Sequence, residues 1–155
     1  MKPFSTVLMI LFCLVSAPLF AQSNSEIDKI LETMDREKKA VTTSEMKLTP
    51  EESKFFWPLY DEYQAALRKV QNRSIKLLAD YAKALEEESF TEEKAKALIS
   101  EYLDLEKERL ELKKTYIEKF GKGLSPRKVM RYFQLENKME AAINYQFTRM
   151  IPLAK

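Results

Sequence analysis

Carboxylates dominate the side chains of this sequence that could do chemistry. Aspartate and glutamate number 24, histidine is absent and Cys13 is the one cysteine. Without an imidazole, no side chain ordinarily titrates near neutral pH and no histidine can ligate a metal. Two glycines cannot build a phosphate-cradling loop. A carboxylate pair flanking a pocket would suit glycoside hydrolysis, but the acids here alternate with bases, as in Glu106, Lys107, Glu108 and Lys113. That is the pattern of exposed ion pairs on a helix. The residues therefore point away from an enzyme and call for no cofactor. Clustered methionines could hold copper(I), yet Met34, Met46, Met130, Met139 and Met150 are dispersed, and Met139 and Met150 fall on an apolar stripe. Packing is the reading for these.

The first residues differ from the rest. Lys2 is the only charge before Glu26, an apolar run extends from Val7 to Val15, and small residues precede a cleavage expected after Ala21. This is the form of a secretory signal peptide, with Leu19 larger than usual three positions before the cut. The apolar run is short for a membrane span. Leu11 and Phe12 stand before Cys13 where a lipid-attachment signal needs small residues, so no lipid anchor is expected. The expected organisation is a signal peptide over 1–21 and a single all-helical domain over 22–155. Removing Lys2 from the 26 bases leaves 25 against 24 acids. Such a balance gives no general attraction to nucleic acid. An exported chain without a second cysteine must hold its fold by packing.

Helix starts are written in capping chemistry. Leu48-Thr49-Pro50-Glu51-Glu52 supplies a threonine cap, a proline at the first helical position and a glutamate that can reach back to the cap. Phe90-Thr91-Glu92-Glu93 and Leu124-Ser125-Pro126 repeat the device, and Ser25-Glu26 makes a weaker first start. Gly121 and Gly123, between the third and fourth helices, are expected to supply a left-handed helix end. Apolar residues recur in steps of three and four through each segment, and no alternating segment competes as a strand. The fold class is all-α with about four helices. A short junction at Glu88-Ser89-Phe90-Thr91 predicts a long antiparallel hairpin of the second and third helices. Pro58, two turns into the second helix, predicts a kink or a restart there. So thin a core favours a homodimer.

Two features suit the binding of other proteins. Phe55, Phe56 and Trp57 belong to a dense aromatic run that cannot all face one core, so either another helix covers the far side or some rings lie exposed as a binding surface. Arg127, Lys128 and Arg131 crowd the start of the fourth helix, where bases oppose the helix dipole, and Arg68 and Arg73 form a second basic group. Together these residues make a candidate surface for an acidic or unfolded partner.

The Leu48-Thr49-Pro50-Glu51-Glu52 motif resembles the Leu-Thr-x-x-Gln motif of the periplasmic stress-protein family of CpxP and Spy, with glutamate in place of glutamine. Phe90-Thr91-Glu92-Glu93-Lys94 and Leu124-Ser125-Pro126-Arg127-Lys128 are looser echoes. The resemblance implies a cradle-shaped helical dimer in the periplasm that holds unfolding proteins without ATP, or that partners a membrane stress sensor. The lack of histidine departs from the family's metal-sensing members. The competing expectation is an envelope-assembly subunit that binds one dedicated protein through its hairpin.

Overall fold

The computed structural model describes residues 24–148 and 152–154. The signal-peptide segment, Cys13 and Met150 lie outside them. Among the described residues the chain is all-α, with four helices and no strand: α1 (Asn24–Met46), α2 (Pro50–Glu86), α3 (Glu92–Gly121) and α4 (Pro126–Thr148). They group into two compact units, Leu48–Val129 and the described residues on either side of it.

In the Leu48–Val129 unit, α2 opens as its residues dictate. The Thr49 hydroxyl accepts from the Glu52 amide at 3.2 Å, and the Thr49 amide donates to the Glu52 carboxylate at 2.8 Å. Two otherwise orphaned donors are thereby satisfied. Thr91 caps α3 by accepting from the Lys94 amide, and Ser125 accepts from the Lys128 amide at the head of α4. The helix α2 passes through Pro58 without a break. Pro58 is on an exposed position, where the Lys54 carbonyl that loses its amide partner can turn to water.

Helices α2 and α3 form the expected antiparallel hairpin, since partners rise along one helix as they fall along the other. Phe56 meets Phe120 at 5.2 Å between ring centroids, Tyr63 meets Tyr116 at 4.9 Å, and Arg73 pairs with Glu108 at 2.5 Å. Further along, Val70, Leu77 and Leu105 form a buried cluster with Leu98 and Leu112 against it, and Tyr81 meets Phe90 near the turn. Each fully buried aromatic or aliphatic side chain in this seam contributes about 1.5–3 kcal/mol.

The left-handed residues are not the glycines. Neither Gly121 nor Gly123 has a positive φ; Lys47 (47°) and Glu88 (52°) do. Glu88 ends α2 in a Schellman arrangement, with the Ser89 amide donating to the Ala84 carbonyl and the Glu88 amide to Leu85. Gly123 answers a different need. A Cβ there would lie 2.5 Å from the Phe55 ring, so the backbone crosses that ring at a distance only glycine permits. Glu88→Gly is expected to stabilise the protein by about 1 kcal/mol, because it removes the Cβ penalty of the left-handed conformation. A midpoint shift in urea denaturation measures this.

In the other unit, a buried ion pair joins α1 to α4. Lys38 Nζ lies 2.6 Å from Glu136 Oε1, and the glutamate side chain is 2% exposed. Thr42, also buried, donates its hydroxyl to the Lys38 carbonyl at 2.8 Å. The apolar residues buried in this unit include Met34, Val41 and Met46 on α1, and Tyr132, Phe133 and Met139 on α4. Met130 is 60% exposed, an exception to the packing role expected of the methionines.

Candidate protein-binding surface

Of the predicted surface, Phe56 is buried, Phe55, Trp57, Arg68 and Lys128 are half-buried, and Arg73, Arg127 and Arg131 are exposed. Phe56 is fully buried and packs on Trp57, Tyr60 and Phe120. Trp57 is half-buried, edge-on to Phe56 and Tyr60, and Phe55 is half-buried beside Gly123. Arg68 is half-buried on α2. Arg73 is exposed but paired with Glu108 across the hairpin.

Two of the bases at the head of α4, Lys128 and Arg131, have structural partners that explain their placement. Lys128 reaches the Glu52 carboxylate, the same group that closes the cap of α2. In the other unit, Arg131 donates through Nε to the Glu45 carbonyl at 2.7 Å and through a terminal nitrogen to the Glu45 carboxylate at 3.1 Å. It thus places a cation at the C-terminal end of α1, where the helix dipole favours one. Arg131's unfavourable position on its own helix is offset by this favourable one on α1, and Lys128's by its ion pair with Glu52 in the first turn of α2. Arg127 is exposed and has no such partner among the described residues.

One electrostatic cluster lies on the hairpin. The Glu62 carboxylate accepts from the Tyr116 hydroxyl at 2.8 Å and from Lys119 at 2.6 Å. The Lys119 and Tyr116 hydrogen bonds hold Glu62 below the usual carboxylate range, and the bond to Glu62 raises Lys119. Burial, then the Glu62 hydrogen bond, push the Tyr116 phenol up. Glu52 is likewise lowered, by Lys128 and then by the Thr49 amide. Both glutamates are therefore more acidic folded than unfolded. Their contribution to stability is present above the ordinary value of 4.5 and is lost as the pH falls through the depressed folded values. Glu62→Gln and Glu52→Gln should each flatten the acid limb of a stability–pH curve, measured by urea denaturation across that range, and leave its neutral slope unchanged.

An exposed apolar surface lies on α3. Its apolar residues divide between two faces. Leu98, Leu105 and Leu112 turn to the α2 seam, and Tyr116 and Phe120 are also buried. Ile99, Leu103, Leu110 and Ile117 lie on another face and are 60, 59, 51 and 44% exposed. Tyr102 adds a half-exposed ring at 54%. The four aliphatics follow each other at steps of four, seven and seven, so they stack along one line of the helix. A three-and-four reading of α3 merges both faces into one stripe; plotting the residues around the helix separates them, and also recovers Leu103. Beside the line stand Lys96, Lys107 and Lys114, all exposed. Lys114 pairs with Glu111 on its own helix. Such a ridge can bind a chain by apolar contact with basic flanks.

Among the described residues, no group of three or more acids, cysteines or histidines is placed to hold a metal, and no helix is long and apolar enough to cross a membrane. Compared with protein-family models, with curated proteins and with solved structures, the chain matches none.

Proposed function

We propose that the protein acts in the periplasm as a non-enzymatic binding factor, an ATP-independent chaperone or envelope-stress adaptor that engages unfolded proteins or a sensor partner. The observation that carries this reading is the line of Ile99, Leu103, Leu110 and Ile117, left exposed on a hairpin whose other apolar face is covered. Apolar patches of this kind mark interaction sites. The lysines beside it add electrostatic steering without a deep pocket. The leader-like first residues agree with export, and the Leu-Thr-Pro-Glu-Glu motif agrees with the periplasmic stress family it resembles. A second reading, an envelope-assembly subunit with one dedicated partner, is favoured by the heptad step of the same line.

The test is aggregation of a chemically unfolded model protein, followed by light scattering without nucleotide. The mature chain is expected to suppress scattering at near-stoichiometric amounts. Leu103→Ser/Leu110→Ser, at exposed positions, should raise the amount required by about tenfold, the equivalent of about 1.4 kcal/mol, while the thermal midpoint stays in place. Equal protection by this variant would remove the α3 line from the reading. No protection by either protein would leave only the dedicated-partner reading, to be pursued by pull-down from periplasmic extract.

A further inference from the structure

We propose that the α3 line receives an amphipathic helix with acidic flanks, supplied by another protein. The inference rests on the reading that this face binds proteins, and it names the kind of segment bound. From Ile99 to Ile117 the line runs about 27 Å at 1.5 Å per residue, enough for several turns of a partner helix. Glu106 and Lys113 fill the two positions that complete a heptad seam with the four aliphatics. A partner helix with the same period therefore meets a side chain of α3 at every half-heptad.

Charge selects the occupant. The edge of the line away from α2 carries Lys107 and Lys114, with Lys96 at its start, and Lys96 and Lys107 have no ion pair among the described residues. A second copy is a poor match. Antiparallel pairing that sets Ile99 against Ile117 brings Lys107 close to the same lysine of the other copy, and in-register parallel pairing faces the Glu106 and Lys113 seam positions with their own like charges. Like charges at these positions oppose association. An anionic bilayer fits no better, because Asp104, Glu111 and Glu118 lie exposed in the next row round the helix and a broad negative surface would meet them. A single helix touches the line and its immediate flank, so glutamates along its edge find the lysines without reaching Asp104, Glu111 and Glu118, while Glu106 in the seam is paired with Arg109.

The experiment uses the full mature chain and labelled synthetic peptides of about three heptads with leucine at the seam. One carries glutamate at the flanks, a second carries lysine there, and a third is the acidic peptide with its order scrambled. Fluorescence anisotropy at low salt should show the acidic heptad peptide binding at least about tenfold more tightly than the lysine peptide, with the scrambled peptide not binding. Lys96→Glu/Lys107→Glu/Lys114→Glu should reverse the preference, and Leu103→Ser/Leu110→Ser should abolish binding of both heptad peptides. Equal affinities, binding of the scrambled peptide, or no binding at all would overturn the proposal. So would a dimer in sedimentation equilibrium that Leu110→Ser dissolves, or vesicle binding that depends on the same leucines. Aggregation suppression that persists without any peptide preference overturns this inference alone. Peptide preference without suppression overturns the chaperone reading and leaves the acidic helix in place.

Discussion

Lys38→Met is expected to destabilise the protein by about 3–5 kcal/mol, the cost of breaking a buried ion pair by removing one of its members. Glu136 is 2% exposed and receives Lys38 at 2.6 Å from a position 98 residues away in the chain. Methionine retains the volume of the lysine stem, so the loss is electrostatic and not a packing defect. Against a total stability of about 5–15 kcal/mol for a domain, this is a large fraction. The pair itself contributes less than its breakage costs, because two charges were desolvated to form it. The double variant Lys38→Met/Glu136→Leu should therefore recover most of the loss, and a double-mutant cycle in urea denaturation should give a coupling of at least about 2 kcal/mol. A cost below about 1 kcal/mol for the single variant would mean that solvent reaches the glutamate and that the apolar residues alone join α1 to α4.

The parts of the fold that could be read from the chain were those written locally. Thr49 with Glu52, Thr91, and Ser125 with Pro126 mark helix starts because a cap and its partner lie within one turn of each other. The hairpin follows from a short junction between two long amphipathic segments. What escaped depended on neighbours distant in sequence. Gly123 suggested a left-handed residue, but its reason is the Phe55 ring, 68 positions earlier. Lys38 and Lys39 break the apolar spacing of the first helix, yet α1 continues to Met46, with Lys38 turned into a buried pair. Lys128 and Arg131 looked misplaced because each was weighed against its own helix dipole. Their partners, Glu52 and Glu45, belong to other helices. The α3 line was hidden differently. Periodicity reports that a residue is apolar and where it lies around the helix, but not which arc a neighbouring helix covers. Five apolar side chains of α3 turn out to be buried or packed on the seam, and which of the two faces is covered is a tertiary fact.

The same division decides what the aromatic run does. Phe56→Ala is expected to cost about 3–5 kcal/mol, the range for removing a large aromatic from a packed core. Phe56 is 0% exposed and lies within 5.0–5.8 Å, centroid to centroid, of Trp57, Tyr60 and Phe120. Its removal opens a cavity at the end of the hairpin seam, and each aromatic pairing adds about 0.5–1.5 kcal/mol beyond area burial. Phe56→Leu keeps most of the volume and should recover more than half of the loss. Trp57, half-buried on the same helix, separates structure from binding. Trp57→Leu should cost less stability than Phe56→Ala, and protection of a model client should be unchanged under conditions where the variant is fully folded. If Trp57→Leu instead loses protection while keeping its urea midpoint, the aromatic run belongs to the binding surface and α3 does not act alone. If Phe56→Ala costs less than about 1 kcal/mol, the ring is not packed as its centroid distances require, and the seam must be held chiefly by Tyr63, Tyr116 and the aliphatic cluster below them.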